Sequence, residues 1–366
     1  MIDARWIHPG QRGIGNFTSN LISSLAVQEN TDIRITISSN YDSIKQLKNI
    51  FKNKFDYLIL PRFPDPILDL FYFNVLNFFY KFDVVHYTGN SGVIFFKKST
   101  KVILTLHDVS FMKNDKIVPK PQRLKQLIGR MYRRLLVPFF VRKSDNVITV
   151  SKFAMNDIKN EFPSYNKVEF VYHGINLPNY LEIINSNIDD FDIFKNKFLV
   201  ISGNDPQKNL QIVINAFSLL FDDSSNNIPA LLIVGLTMSD FVKYNPDVII
   251  KPNIIFYGYI NNKDLNYAIV NAKSIIIPSY YESFGLPLIE ALFLYKKVIC
   301  SNTGALGEIA SNSVVYFDPY NVNSLINAIN SIDNFDNNII ENWIKENKTK
   351  FSWKNVSAFY INKYLN

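Results

Sequence analysis

The sequence predicts an α/β chain made of two parallel-sheet domains in series. Short apolar, β-branched runs alternate with helical patterns along the chain. The runs are continuously apolar, the pattern of strands covered on both faces. The series breaks once, at a polar, Asn/Asp-rich stretch over residues 176–197, and a set of strands lies on each side of it. With 366 residues, 47% of them hydrophobic, the chain is long enough for two cores.

In chain order, the first half offers the helix GNFTSNLISSLAVQ (15–28) and the strands IRITI (33–37), DYLIL (56–60), DVVHYT (83–88), KVILTL (101–106), NVITV (146–150) and VEFVY (168–172). The second half offers the strands KFLVIS (197–202), ALLIVG (230–235), NIIFYG (253–258), KSIIIP (273–278), KVICS (297–301) and SVVYF (313–317). Its helices are LQIVINAFSLLF (210–221), KDLNYAIVNA (263–272) and PLIEALFLYK (287–296). The end, FSWKNVSAFYINKYLN, reads as an amphipathic helix anchored by Trp353, Phe359 and Tyr364. These readings place domains at 1–178 and 197–351, a linker at 179–196 and a C-terminal helix at 352–366. The linker contains Asp190-Phe191-Asp192, but no strand end presents it, so a solvated linker is the expected reading and no metal site is assigned.

Composition narrows the class. Charged residues make up 19% and aromatic residues 14%, a globular and not a disordered profile. The single cysteine, Cys300, lies in an apolar run; it has no partner for a disulfide within the chain, which fits a cytoplasmic protein. MIDARWIHPGQRGIG lacks the basic-then-apolar pattern of a signal peptide. The apolar stretches FYFNVLNFF (71–79) and LLVPFFV (135–141) are too short to span a bilayer, which takes roughly 20 residues. Net charge is +7, but residues 1–180 carry 25 Lys and Arg against 14 Asp and Glu, while residues 181–366 carry 14 against 18. The two halves are therefore expected to meet different partners.

Five segments carry possible chemistry. ESFGLPLIE, from Glu282 to Glu290, follows a strand and opens a helix at Gly285-Leu286-Pro287. Free amides at Phe284, Gly285 and Leu286 beyond a parallel strand suit a phosphate, and the flanking carboxylates suit hydroxyl-rich groups beside it. A carboxylate merely stabilised by the helix dipole is the alternative for Glu290. SGNDPQKNL (202–210) sets Lys208 at a helix start after a strand, as a neutraliser of a leaving diphosphate or as a plain surface lysine. RGIGNF (12–17) places Gly13 and Gly15 before a helix, as a phosphate loop or an ordinary turn. TLHDV (105–109) puts His107 at a strand's carboxyl end, catalytic or structural. Residues 120–143 hold eight basic residues and no acid, with Leu124, Leu127, Ile128, Met131, Leu135 and Leu136 at helical spacing. That pattern suits an anionic membrane surface or a helix packed on the sheet with a solvated basic face; no motif for nucleic acid accompanies it.

Taken in order, IDAR…GIGNFTSNLISSL, KVILTLHDVSF, DNVITVSKFAMNDI, VYHGI, GNDPQKNL, IIFYGYINNKDLNYAIVNAKSIIIPSYYESFGLPLIEAL, TGALGEIA, VVYFDP and the final FSW helix resemble glycosyltransferase family 4 over nearly the whole chain. The resemblance implies the GT-B fold: two Rossmann-like domains facing across a cleft, with a C-terminal helix crossing back to the first. It implies a retaining transfer from a nucleotide sugar that needs no metal and no cofactor. By the same resemblance, Glu290 would hold ribose hydroxyls. Glu282 would face the donor sugar, with Phe284, Gly285 and Leu286 giving backbone contacts. Lys208 would bind the diphosphate and Gly15, with Gly13, would close over it. His107 would contact the sugar near the reacting centre, and Tyr259 and Ile260 would hold the base. Relatives often carry Arg where this chain has Asn204 or Gln207, so the positive clamp is weaker or is completed by Arg12; they often show Pro-Glu where it has Gly307-Glu308. Within the family the chain resembles bacterial mannosyl- and rhamnosyltransferases of O-antigen and surface polysaccharide. GDP-mannose is the expected donor and an undecaprenyl-diphosphate-linked glycan the expected acceptor. The expected location is the inner face of the cytoplasmic membrane, held there by residues 120–143. A sugar-nucleotide epimerase and a non-catalytic partner subunit of the same fold are the competing readings.

Overall fold

The computed structural model describes all residues except 9–12, 29–32, 94–98, 122, 177–191 and 224–227. The chain divides into two units: Met1–Met112 with Ile128–Gly174 and Lys350–Asn366, and Lys113–Leu127 with Ile175–Thr349. Arg12, most of the proposed linker and Asp190-Phe191 lie outside the described residues. The remaining member of that triplet, Asp192, is exposed and pairs with Lys195 at 2.6 Å.

The first unit has seven parallel strands: β1 (Ile2–Asp3), β2 (Thr36–Ser39), β3 (Asp56–Ile59), β4 (Val84–Tyr87), β5 (Lys101–Thr105), β6 (Asn146–Thr149) and β7 (Val168–Phe170), in the order β3-β2-β1-β4-β5-β6-β7. The expected strand at 33–37 begins three residues later, at Thr36, and runs to Ser39, with Ile37 paired to Ile2 and Tyr57. Helix α1 (Ile14–Val27) buries Phe17, Leu21, Ile22 and Leu25 on one face of the sheet. Helix α2 (Tyr41–Phe51) is capped by Asn40, whose side chain accepts from the Ser43 amide. A helical segment follows β3: α3 (Asp65–Ile67), a π-helical stretch (Leu68–Tyr72) and α4 (Phe73–Phe79). It shares a core with α5 (Leu124–Lys143), through Leu68, Phe73 and Leu76 against Val137, Phe140 and Val141. Arg5, of the IDAR segment, ties these parts together. It is buried, bonds Asp3 (2.9 Å) and Asp69 (2.6 Å), and Asp69 also accepts from Tyr132 on α5 at 2.7 Å.

The C-terminal helix, Trp353–Leu365, packs in this unit beside α1. Trp353, Val356 and Tyr360 are its buried anchors, while Phe359 is half-buried. Tyr364 bonds His86 Nδ1 and Tyr360 bonds Thr105, both at 2.7 Å.

The second unit has six parallel strands: β8 (Phe198–Ile201), β9 (Leu231–Val234), β10 (Ile254–Gly258), β11 (Ser274–Ile277), β12 (Val298–Ser301) and β13 (Val315–Phe317), in the order β10-β9-β8-β11-β12-β13. The direction of winding reverses between β8 and β11, and parallel sheets bind ligands beyond the strand ends at such a reversal. Helices α6 (Lys152–Glu161) of the first unit and α7 (Leu210–Asp223) of the second follow β6 and β8. Helices α8 (Met238–Val242), α9 (Asn262–Asn271), α10 (Leu286–Phe293), α11 (Leu306–Ala310), α12 (Val322–Ser331) and α13 (Asn337–Asn347) complete the second unit. Cys300 is fully buried in β12, and burial pushes its thiol far above the usual range. Among the described residues no helix is long and apolar enough to cross a membrane.

Candidate functional site

The second unit gathers its polar groups where the winding reverses. After β8 the chain makes a 3-10 turn, Pro206–Lys208, closed by Asn209 in the left-handed region at φ 51°. Asparagine tolerates that conformation better than most residues, and here its buried side chain also donates to Pro319 O at 2.9 Å. After β11 the Tyr280 amide donates to Gln207 O at 2.9 Å, so the two strand-end loops are joined through the main chain. Lys208 Nζ then reaches Glu282 Oε1 at 2.5 Å, and Ser279 Oγ donates to the same oxygen at 2.9 Å. Burial works against the charge of Lys208, but the carboxylate of Glu282 outweighs it and holds the ammonium above the usual lysine range.

Three residues that the sequence did not single out hold this loop. Ser301 and Thr303 donate to Ser279 O at 2.6 and 2.8 Å. Gly304, at φ 60°, brings its Cα so close that a Cβ there would lie 2.2 Å from Glu282 O, which already accepts from the Ala305 amide at 2.8 Å. Their only sequence signal is the glycine of TGALGEIA.

Gly285, at φ 91°, caps α10, and Pro287 is its second residue. The helix therefore begins at Leu286, and Glu290 lies one turn in. The dipole alternative for Glu290 would favour its charged form. Burial instead pushes its carboxyl up to about 7, and no described side chain bonds it. The Gly285 and Leu286 amides donate to no main-chain carbonyl among the described residues. Phe284 is buried. Tyr259 and Ile260 follow β10, two strands from β8 on the same carboxyl edge; Tyr259 is exposed and Ile260 half-buried.

In the first unit, Gly13 precedes α1 at φ 49° with open space where a Cβ would be, and Gly15 is buried in the first turn. Phe17, on the same helix, meets the His107 ring edge-on at 4.8 Å between centroids. His107 follows β5. Its amide bonds Asn90 and its Nε2 lies 2.9 Å from Thr88 O. A carbonyl accepts only, so Nε2 carries the proton and Nδ1 is left as an acceptor. Burial holds the imidazole below the usual range, against the Thr88 bond and the charge of Asp108. The structure thus groups Gly13, Gly15 and His107 in the first unit, and Lys208, Glu282, Phe284, Gly285, Leu286, Glu290, Tyr259 and Ile260 in the second.

A cavity of about 140 Å³ lined by Gly203, Asn204, Asp205, Asn209, Asn245 and Tyr280 adjoins the Lys208 turn. A second cavity, about 500 Å³, opens at the amino ends of β1–β4 beside Met1, Thr36, Asp56 and Val84, and none of the candidate residues line it. Among the described residues no cluster of three or more His, Cys, Asp or Glu is placed to hold a metal.

Residues 13–178 match the family model described as glycosyltransferase family 4, and residues 186–350 match the one described as glycosyl transferases group 1. The chain is 28% identical over 177 residues to O-antigen chain mannosyltransferase B of Escherichia coli, a match that spans 45% of each chain. It is 24% identical over 283 residues to O-antigen chain mannosyltransferase RfbU of Salmonella typhimurium, covering 70% of this chain and 76% of that one. Among solved structures, sucrose-phosphate synthase from Thermosynechococcus elongatus superposes with a TM-score of 0.69 at 16% identity, covering 100% of this chain and 97% of that one. Anabaena HepE in complex with UDP-glucose gives 0.67 at 16% identity, covering 100% and 98%. At these identities the solved structures establish the fold, two parallel-sheet α/β domains of the GT-B type.

Proposed function

The chain belongs to the glycosyltransferases of the family 4 type, one half matching each of the two family models, and from that premise we propose that it transfers mannose from GDP-mannose, with retention, to a lipid-linked glycan in bacterial surface polysaccharide synthesis. The observation that carries the reading is the cluster at the winding reversal of the second unit. There a charged lysine, Lys208, is held by a carboxylate, Glu282, next to helix amides that no described carbonyl takes and a carboxylate, Glu290, that no described side chain bonds. Phosphate oxygens would take the amides of Gly285 and Leu286 and share Lys208 with Glu282. A ribose diol would supply the donors that Glu290 lacks. Mannose chemistry is favoured by the two O-antigen mannosyltransferase relatives, and a membrane-bound acceptor by the basic helix α5.

In the reaction the bond from sugar C1 to the diphosphate oxygen breaks, and negative charge grows on the diphosphate facing Lys208. The acceptor hydroxyl forms the new C1–O bond on the same face, and its proton passes to the leaving phosphate. His107, with Nδ1 free to accept, would hold a sugar hydroxyl. Lys208→Ala is expected to lower turnover by about 10²–10³-fold, measured with GDP-mannose and an extracted lipid-linked acceptor. Near-normal turnover would remove Lys208 from the mechanism. The reading as a whole is tested by thermal shift with GDP, UDP, dTDP and their sugars, since a ligand at 100 times its Kd stabilises by about 2.7 kcal/mol. A selective GDP response supports mannose; a dTDP response points to rhamnose and a UDP response to another hexose. Silence to all of them favours a non-catalytic partner subunit, and turnover of donor without acceptor favours an epimerase.

A further inference from the structure

The segment after β3 exposes an apolar ridge that nothing in the donor chemistry uses. Phe63, Ile67, Phe71, Val75 and Phe78 recur every three or four residues across α3, the π-helical stretch and α4, with Phe79 and Tyr80 beside them. All seven are exposed, Phe71 by 64%, Phe78 by 66% and Phe79 by 74%. The opposite side of the segment is committed to the core by Leu68, Phe73 and Leu76. Between Asp69, which is buried against Arg5, and Lys81 no residue is charged. A soluble surface rarely leaves so many large apolar side chains together.

Helix α5 shares that core and extends the same character. Its sequence pattern allows the apolar stripe to pack on the sheet. The structure instead buries Arg130, Val137, Phe140 and Val141, and leaves Ile128, Met131, Leu135 and Phe139 half-exposed or more. Arg134, Arg142 and Lys143 stand exposed on the same helix, which has no acidic residue. The pair of helical segments thus offers aromatic side chains for insertion and cations for headgroups.

We propose that the ridge Phe63–Tyr80 is a bilayer-insertion surface, its aromatic side chains lying at the acyl boundary of an anionic membrane while the cations of α5 meet the headgroups. The inference rests on the membrane-bound acceptor of the proposed function, and it gives the larger share of the binding to insertion. A bilayer fits better than a protein partner because the ridge carries a single exposed charge, Asp65 at its start, and the exposed cations Arg62 and Lys81 border it. Attraction to headgroups is screened by salt, whereas burial of apolar surface is not.

The test uses the full chain and mixed phosphatidylcholine/phosphatidylglycerol vesicles. Wild-type protein is expected to sediment with them at both low and high salt. The combined variant Phe71→Ser, Phe78→Ser and Phe79→Ser is expected to lose vesicle partitioning by about 10²-fold or more, from the apolar area removed. Its melting temperature should hold, since those side chains are outside the core. In a second variant, Phe78→Trp, the introduced indole should be quenched by lipids brominated along the acyl chain. Unchanged partitioning of the triple variant, or an introduced indole that stays unquenched, overturns the proposal. So does a wild-type dimer that the triple variant dissociates while vesicles stay unbound, which would make the ridge a contact between copies. The GDP thermal shift is read on the wild type too: if it is present while wild-type protein fails to bind the vesicles, insertion is wrong and the donor reading stands.

Discussion

Among the glycines of the site, Gly304 has the least room for a side chain. Its φ of 60° is costly for a side-chain-bearing residue, and a Cβ would meet the main chain of Glu282, not a side chain that could swing away. Gly304→Ala should therefore move the Glu282 loop. The expected loss is about 1–3 kcal/mol of stability, with a weaker nucleotide response, checked by urea unfolding and a GDP titration. An unchanged GDP affinity would show that the loop tolerates the shift. Glu290 gives a second prediction. Because the folded carboxyl titrates near 7 instead of the ordinary 4.5, the apo protein holds a proton there that the unfolded chain releases. Its contribution to stability is therefore present below about 4.5 and lost as pH rises to about 7. A diol binds the ionised carboxylate best, so nucleotide affinity should rise with pH and level off above about 7. Glu290→Gln should flatten that rise; a rise that persists would assign it to another group. Lys208 and Gly285 were legible in the sequence because a glycine, a proline and a helix start mark strand-end turns locally. Ser279, Thr303 and Gly304 were not. Their contacts join segments over 20 residues apart, and no local pattern records such a meeting.

At the scale of elements, the strands were the most legible part. Strands in parallel sheets are apolar on both faces, and the expected runs overlap β2 to β13. Helix faces were less so. The spacing of Leu124, Ile128, Met131 and Leu135 in α5 looks the same whether the stripe is buried or exposed, and only the register against the sheet decides. The C-terminal helix shows the same limit: its pattern suggested Phe359 as an anchor, whereas Tyr360 is fully buried and bonded to Thr105. Truncating a fully buried aromatic side chain costs about 3–5 kcal/mol, so Tyr360→Ala should destabilise the first unit by that order. Urea unfolding followed by Trp353, which packs against His173 and Phe17, is the measurement. A loss under about 1 kcal/mol, the size of one ordinary hydrogen bond, would mean that the helix docks without Tyr360.

For the molecule as a whole, the ionisable groups of the two units pull stability in opposite directions with pH. In the first unit burial lowers His86 to about 3 and His173 to about 4, and lowers His107 as well. Each of these is neutral when folded and takes up a proton when unfolded. Their stabilisation is full above the ordinary histidine value of 6.5 and is lost as pH falls towards the folded values. Asp69, raised to about 6 by burial against the pull of Arg5, opposes them, but it is one group against three. The first unit should therefore weaken on acidification, by about 1.4 kcal/mol per pH unit for each net proton. In the second unit Glu290 works the other way, favouring the fold at lower pH. Tryptophan placement makes the difference readable, since Trp6 and Trp353 lie in the first unit and Trp343 in the second. Variants with Trp343→Phe, or with Trp6→Phe and Trp353→Phe, should report separate unfolding transitions. Between pH 6.5 and 5 the transition seen by Trp6 and Trp353 should fall more steeply than the one seen by Trp343. Adding GDP should raise the Trp343 transition more than the other, because linkage stabilises the unit that holds most of the ligand's contacts. Parallel pH trends in the two reporters would mean that the buried histidines do not govern the acid response of the first unit, and a GDP shift seen by Trp353 alone would move the nucleotide out of the second unit.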